Sequence, residues 1–188
     1  MKKVFCLMGQ VYNGKYELFE YLVNAYYFNP YKTLTTRQKP NEYVNHVFKH
    51  VDLKVFTQAE LANDLVTIRS FNGDQYGKRF SDIPSELSVC ICNYEEYKIL
   101  SKEVATVGFV INQNLTSRYQ LNLQCDRYSP TTFLKYNEDN ESTSQAMKDD
   151  PHLIHFDGET LTQLKLQFDD YMKPYLKYLP RDIKHTKR

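Results

Sequence analysis

Predominantly apolar runs alternate along this chain with stretches of helical periodicity. The apolar runs lack the polar alternation of a half-exposed strand, so each is typical of a strand buried on both faces of a parallel sheet. They occupy residues 4–8, 87–92, 105–111 and 153–156. Helical stretches fall between and after them, at residues 16–27, 94–102, 114–123 and 161–171. This order of strands and helices predicts an α/β fold with a parallel sheet core flanked by helices.

Two of the helical stretches show which face should be buried. In residues 16–27 the apolar side chains recur at intervals of three and four, which predicts a crossover helix with one buried stripe. In residues 114–123 the side chains of Leu115, Tyr119 and Leu123 fall on one side. Residues 125–150 are polar and rich in Asn, Glu, Ser and Thr, which suits a mobile lid over a ligand.

Length, charge and hydropathy limit the class of protein. A chain of 188 residues is long enough for one well-buried domain. Its formal net charge of +1 provides no global field for nucleic acid, and the basic tail at 181–188 is expected to be solvated. No run approaches the roughly 18 apolar residues of a membrane span, and nothing at the start is typical of a signal peptide. We therefore expect a cytoplasmic protein with no nucleic-acid or membrane partner. The abundance of Tyr, Asn and Lys suggests a phage or low-GC bacterial genome.

The cysteines predict core thiols rather than a disulfide framework. Cys6, Cys90 and Cys92 lie in apolar runs, and Cys125 precedes the polar segment. A metal site at the C-x-C of Cys90 and Cys92 would need His or Cys partners from elsewhere in the chain, so no metal site is predicted. The same holds for His46 and His50, which no further ligand follows at a zinc-like spacing.

The loop after the first apolar run carries the most specific chemistry. Gly9, Gly14 and Lys15 match the spacing G-x-x-x-x-G-K, in which backbone N–H groups and a lysine surround one anion. The position after the lysine normally carries a Ser or Thr hydroxyl for Mg²⁺, and here it is Tyr16. The loop is predicted to bind phosphate groups through Gly9, Gln10, Tyr12, Asn13, Gly14, Lys15 and Tyr16. The alternative is an ordinary turn from strand to helix.

Two further blocks resemble guanylate kinases. The first is Thr35-Thr36-Arg37 with Glu42, which follows the glycine-lysine loop at about the family's distance. The second, at residues 63–77, aligns without a gap and leaves five residues unchanged: Asn63, Phe71, Gly73, Tyr76 and Gly77. The resemblance covers about residues 3–175. It implies the fold of P-loop nucleoside monophosphate kinases, with a parallel sheet core, a small lobe for the monophosphate (NMP) and a lid.

The resemblance also implies an organisation of the chain. A single domain would have its core at about 1–32, 84–124 and 151–178, the NMP-binding lobe at about 33–83 and the lid at about 125–150, with a basic tail at 179–188.

The resemblance assigns a role to residues in the small lobe. The acceptor monophosphate would be held by Thr33, Arg37, Lys39 and Tyr76, and the base pocket would comprise Phe48, Thr67, Lys78 and Asn93. Each of the four base-pocket positions departs from the family pattern: Phe48 replaces a tyrosine, Thr67 a glutamate, Lys78 a Ser or Thr, and Asn93 an aspartate. Without the carboxylate at Thr67, recognition of both guanine donors is lost, so the pocket suits another base or no base.

The parts that act on the transferring phosphoryl group are also reduced. Tyr16 replaces the metal-binding hydroxyl, and Ile91 stands where the family has an aspartate. Glu95 and Glu96 follow closely and could compensate, although a solvated helix start is the expected role of that pair. The segment 125–150 offers Arg127, with Lys135 and Lys148 as substitutes for arginines, and Arg118 precedes it. The implied catalytic residues are Lys15, Arg127 and Arg118.

Two functions follow from the resemblance. One is ATP-dependent phosphoryl transfer to a nucleoside monophosphate, with ATP as co-substrate and Mg²⁺ if the protein is active. The alternative is a catalytically degenerate module that binds a nucleotide, a phosphorylated small molecule or a protein partner.

Overall fold

The computed structural model describes residues 2–38, 46–125 and 129–178, and within these ranges the chain is an α/β fold. The strands are β1 Lys3–Met8, β2 Asn29–Pro30, β3 Thr33–Thr35, β4 Phe48–His50, β5 Leu65–Phe71, β6 Asp74–Arg79, β7 Leu87–Ile91, β8 Thr106–Asn112 and β9 Leu153–Asp157. The α-helices are α1 Lys15–Tyr26, α2 Leu53–Leu61, α3 Tyr94–Glu103, α4 Leu115–Cys125, α5 Pro130–Asp139, α6 Glu141–Lys148 and α7 Leu161–Met172. Turns of 3₁₀ helix follow at Phe80–Asp82 and Lys173–Tyr178.

The strands form two sheets. The larger has the order β2-β7-β1-β8-β9, in which β2 pairs parallel to β7 and β8 parallel to β9. The smaller has the order β4-β3-β6-β5, with β3 parallel to β4 and with β6 antiparallel to both β3 and β5. The predicted parallel sheet is therefore confirmed, and its helices lie in the connections between strands, as the apolar runs indicate.

The chain divides into two compact units. The first unit comprises Met1–Cys6 and Phe28–Thr106, and the second comprises Leu7–Tyr27 and Val107–Arg188. The first unit contains the smaller sheet, α2 and α3, and its buried aromatic residues include Phe5, Phe28 and Phe56. Because the ring centroids of Phe5 and Phe28 are 4.8 Å apart, the start of β1 packs against the residue that opens the second segment of this unit.

The second unit is built around α1, α7 and an aromatic cluster. Phe168 of α7 lies 5.9 Å from Tyr26 and 5.3 Å from Phe109, measured between ring centroids, and all three side chains are buried. Tyr26 also donates a hydrogen bond to the carboxylate of Asp169. The apolar stripe predicted within residues 16–27 is the face of α1 that these contacts bury.

Some elements differ from the pattern-based expectation. Helix α2 was not predicted; it begins after Asp52, whose carboxylate accepts from the Val55 N–H at 2.8 Å and so caps the helix. The segment expected to form a polar lid contains α5 and α6, and α5 starts with Ser129 as its N-cap and Pro130 in its first turn. No helix in the described ranges combines the length and apolar content that a membrane span requires.

Candidate functional site

The glycine-lysine loop joins β1 to α1 within the second unit. Gly9 has φ of +132°, and a Cβ added there would lie 2.5 Å from the Ile111 carbonyl oxygen. Gly14, at φ of +83°, is the N-cap of α1 and has no side chain to cap it. The loop therefore passes closely beside β8 and delivers the chain into the N-terminus of α1, which favours anions.

Lys15 is held at the mouth of this loop. Its Nζ donates to the Gln10 carbonyl at 2.7 Å and to Asn13 Oδ1 at 3.3 Å, and its side chain is buried. Asn13 in turn donates through Nδ2 to the Ile111 carbonyl at 2.6 Å. These contacts keep the positive charge of the lysine at the loop.

Tyr16 occupies the position of the metal-binding hydroxyl in this motif. The centroid of its ring lies 5.4 Å from Lys15 Nζ, a cation–π contact. Because the phenolic oxygen stands a full ring beyond Cβ, it cannot take the place of a Ser or Thr hydroxyl beside the loop backbone. Residues 9–16 include no carboxylate either. The loop therefore offers no side chain of the kinds that usually bind Mg²⁺ directly.

Arg118 of α4 contributes a second positive charge to the same unit. Its side chain is only 6% exposed, lies 5.9 Å from the Phe133 ring, and donates through Nη1 to the Val11 carbonyl at 3.4 Å. The Nε–H is buried without a hydrogen-bond partner, and no carboxylate of the described residues pairs with the guanidinium. Burial accordingly lowers the pKa of Arg118 from its ordinary value. The guanidinium is thus a buried cation that the described part of the protein leaves unneutralised.

Arg118 and the loop line a cavity of about 730 Å³. The carboxyl ends of β8 and β9 contribute Asn112 and Asp157, a placement typical of ligand sites in α/β folds. The cavity is lined mainly by amides and charged groups: Gln10, Asn13, Ile111, Asn112, Gln113, Asn114, Arg118, Ser144, Lys148, Asp157, Gly158, Glu159, Gln163 and Gln167. The Oε1 atoms of Gln10 and Gln113 are buried there without a hydrogen-bond donor.

Sequence reasoning identified Gln10, Asn13, Arg118 and Lys148 but not the other amides of the cavity: Asn112, Gln113, Asn114, Gln163 and Gln167. A signal was available, because Asn112-Gln113-Asn114 follows a buried strand directly, and polar residues at that point face the ligand edge of a parallel sheet. The acidic pair Asp157 and Glu159 follows β9 in the same way.

The residues predicted to form the base pocket lie in the first unit, and three of them converge on Glu96. Its Oε1 accepts from Thr67 Oγ1 at 3.0 Å and from Arg69 Nη2 at 3.1 Å. Its Oε2 accepts from Lys78 Nζ at 3.3 Å and from the Asn93 backbone N–H at 3.1 Å. Four donors saturate the carboxylate, and we call this set of contacts the Glu96 network.

The expectation that Glu95 and Glu96 form a solvated helix start is wrong for Glu96. Glu95 is exposed, whereas the side chains of Glu96 and Lys78 are fully buried. The reason is a capping box at the start of α3, in which Asn93 Oδ1 accepts from the Glu96 N–H while the Glu96 side chain turns back to the Asn93 N–H. That geometry directs the carboxylate inward, where Lys78 and Arg69 neutralise it.

In the Glu96 network, attraction between opposite charges outweighs the desolvation cost of burying Glu96 and Lys78. Burial alone would raise the pKa of Glu96, but Lys78, Arg69 and the hydrogen bonds outweigh burial and lower it. Burial would likewise lower the pKa of Lys78, but the neighbouring carboxylate raises it. Both groups are therefore ionised, and the pair is internally neutralised.

The residues predicted to hold a monophosphate also lie in the first unit, in and after the smaller sheet. Thr33 of β3 is buried, Tyr76 of β6 is half-buried and lies opposite Thr35, and Arg37 is exposed. The rings of Phe48 and Tyr76 meet edge to face, with centroids 6.0 Å apart. Phe48 thus contacts Tyr76, and it makes none of the hydrogen bonds of the Glu96 network. Lys39 and Arg127 lie outside the described residues.

Comparison with solved structures identifies a similar protein. A guanylate kinase from Anaplasma phagocytophilum matches with a TM-score of 0.59 and 12% sequence identity, over 92% of this chain and 85% of that one. No family model and no curated protein matches the sequence. At this identity the likeness establishes the architecture, and the chain has a guanylate kinase-like α/β fold with a mostly parallel central sheet.

Proposed function

We propose that this protein binds a nucleoside triphosphate, ATP or a close relative, in the cavity of the second unit. The observation that carries the proposal is Arg118, a buried guanidinium that is not neutralised by any carboxylate of the described residues and whose Nε–H lacks an acceptor. Since an uncompensated buried charge costs several kcal/mol, a ligand with anionic oxygens is the natural partner.

The charges around the cavity fit such a ligand. Arg118 and Lys148 line the cavity wall, so two cations face polyphosphate oxygens there, and Lys15 adds positive charge in the adjoining loop. Backbone N–H groups at the start of α1 add neutral donors at the same end. The cavity volume falls in the range of nucleotide-sized ligands.

The other lining residues favour a nucleotide over a simple anion. The buried Oε1 atoms of Gln10 and Gln113 need donors, which a phosphate dianion cannot supply but the amino group of a base or a ribose hydroxyl can. Asp157 and Glu159 accept from the same kinds of donor. A ligand with anionic oxygens at one end and hydrogen-bond donors at the other satisfies both the cations and the acceptors of the cavity.

The first unit argues against guanine as an acceptor base. Thr67 and Lys78, which the resemblance assigns to the base pocket, are already hydrogen-bonded to Glu96, as is the backbone N–H of Asn93. A base would have to displace Lys78 from its buried ion pair to reach these groups. We therefore propose nucleotide binding without guanylate kinase activity.

A titration of ATP into the wild type and Arg118→Met tests the proposal. Charged hydrogen bonds contribute about 1.5–3 kcal/mol each, so the variant should bind ATP at least tenfold more weakly. Lys165→Met is the matched control, because this lysine belongs to the same unit but contacts the ring of Tyr21 away from the cavity. A wild type that does not bind ATP would overturn the proposal, as would unchanged affinity in Arg118→Met.

A second candidate is phosphoryl transfer to a nucleoside monophosphate other than GMP. It is favoured by Thr33, Tyr76 and Arg37, which share the small sheet and its following loop, with Arg37 exposed. An assay for ADP formation with each nucleoside monophosphate distinguishes the two, because binding alone releases no ADP.

A further inference from the structure

Three of the four cysteines meet in the first unit, although they are far apart in sequence. Cys90 lies in β7 and Cys92 directly follows that strand, and Cys6 lies on β1, which neighbours β7 in the sheet. The three Sγ atoms all lie within 4.8 Å of one another, and the side chains are buried. Cys6 thus supplies a third thiol, which the sequence around Cys90 and Cys92 lacks.

The spacing of the sulfurs resembles that of ligands of one metal ion. With metal–sulfur distances of about 2.3 Å, two thiolates on one metal lie roughly 3.8–4.0 Å apart. Cys6 and Cys90 already have their sulfurs 3.8 Å apart. Because the outer limit of the set is 4.8 Å, a movement of about 1 Å would bring all three sulfurs to bonding distance.

We propose that Cys6, Cys90 and Cys92 form a three-thiolate site for a soft metal cation, Cu(I). Among the described residues, the cluster of potential metal ligands consists of these three cysteines and includes no histidine or carboxylate. Soft thiolates select Cu(I) and zinc over harder cations, and a set of three favours Cu(I), because zinc normally takes four ligands.

The site lies beside a buried ion pair. Three thiolates around one Cu(I) leave an excess of negative charge in the core. The ammonium of Lys78 interacts favourably with the charged forms of Cys90 and Cys92, and its partner Glu96 acts on the same two cysteines with the opposite sign. Metal binding would release the thiol protons, as thiolate coordination requires.

The test uses the full-length protein, reduced and free of metal, with Cu(I) presented in competition with a chromophoric Cu(I) chelator. We expect one Cu(I) per chain to be withdrawn from the chelator by the wild type and by Cys125→Ser. We expect no withdrawal by Cys90→Ser or Cys92→Ala, two variants with different costs in the core. Circular dichroism establishes which variants are folded.

A measurement on the wild type keeps the proposal testable if the variants do not fold. X-ray absorption spectroscopy of the Cu(I)-loaded wild type should show a first shell of sulfur atoms around the copper, with the same spectrum in Cys125→Ser. The proposal is overturned if the folded wild type withdraws no Cu(I). Loss of binding in folded Cys125→Ser, or binding that survives in folded Cys90→Ser, would overturn it as well.

Discussion

Glu96 shows how one carboxylate changes the chemistry of a whole pocket. Its four donors come from β5, β6 and the start of α3, and Lys78, one of them, is as fully buried as Glu96 itself. A buried pair of this kind adds little net stability over an apolar pair, but removing one partner leaves an uncompensated charge. The same contacts that neutralise Glu96 remove Thr67 and Lys78 from ligand recognition.

The role of Glu96 predicts a specific dependence of stability on pH. Its pKa is lower in the folded than in the unfolded protein, where it is about 4.5. The stability that its ionised form contributes is therefore present above pH 4.5 and is lost as the pH falls through the folded pKa. Glu96→Gln should lose about 3 kcal/mol of unfolding free energy at neutral pH and a smaller amount in acid.

Urea unfolding at neutral pH and at a series of acid pH values measures this difference. Glu95→Gln is the control, since this neighbour on the same helix is exposed and its variant should follow the wild type at every pH. If Glu96→Gln is as stable as Glu95→Gln at neutral pH, the Glu96 network does not hold the first unit together.

Residues of this kind are only partly predictable from sequence. The alignment with guanylate kinases identifies Thr67, Lys78 and Asn93 as a group, because each stands at a motif position. It does not identify Glu96 as their partner, since the carboxylate reaches them only through the capping box that turns it inward. A local sequence Asn-Tyr-Glu-Glu is equally compatible with two solvated glutamates.

At the scale of elements, the loop between β1 and α1 depends on one close approach. A Cβ at Gly9 would stand 2.5 Å from a backbone oxygen of β8, which cannot move without disturbing the sheet. Gly73, in the turn between β5 and β6, has φ of +83° but nothing within 4 Å of an added Cβ. Gly9, with φ of +132°, combines backbone strain with steric blockage, whereas at Gly73 only the backbone conformation opposes a side chain.

Gly9→Ala should abolish ATP binding and lower the melting temperature, because the loop must move away from β8. Gly73→Ala should cost only about 1 kcal/mol for its left-handed backbone and leave ATP affinity unchanged. Calorimetric titration and thermal melting of both variants provide the comparison. Wild-type ATP affinity in Gly9→Ala would show that the loop is not part of the nucleotide site.

Helix α4 shows where periodicity stops being informative. Its sequence places Leu115, Tyr119 and Leu123 on one side, yet Leu115 and Leu123 are about half exposed and Arg118 is buried instead. The guanidinium turns inward because Phe133 and the Val11 carbonyl receive it, and both come from other segments. The position of the helix is readable from its pattern, whereas the buried cation that matters for function is not.

For the whole molecule, a net charge of +1 conceals two different electrostatic environments. In the first unit the buried charges of Lys78 and Glu96 cancel within the protein. In the second unit Arg118 is left without a counter-charge among the described residues. The fold was predictable because apolar runs and glycine positions encode it locally. The difference between a neutralised and an unneutralised buried charge was not predictable, because it arises from contacts between distant segments.

The direct measurement is calorimetric titration of the full-length protein with ATP and with GMP, each with Mg²⁺ and with a chelator. We predict that ATP binds with one site per chain and that GMP produces no binding heat. Since residues 9–16 contain neither a carboxylate nor a Ser or Thr hydroxyl, and Asp157 and Glu159 are proposed to accept from the base and ribose, the ATP affinity should change little when the metal is removed. GMP binding, or the absence of ATP binding, would contradict the account.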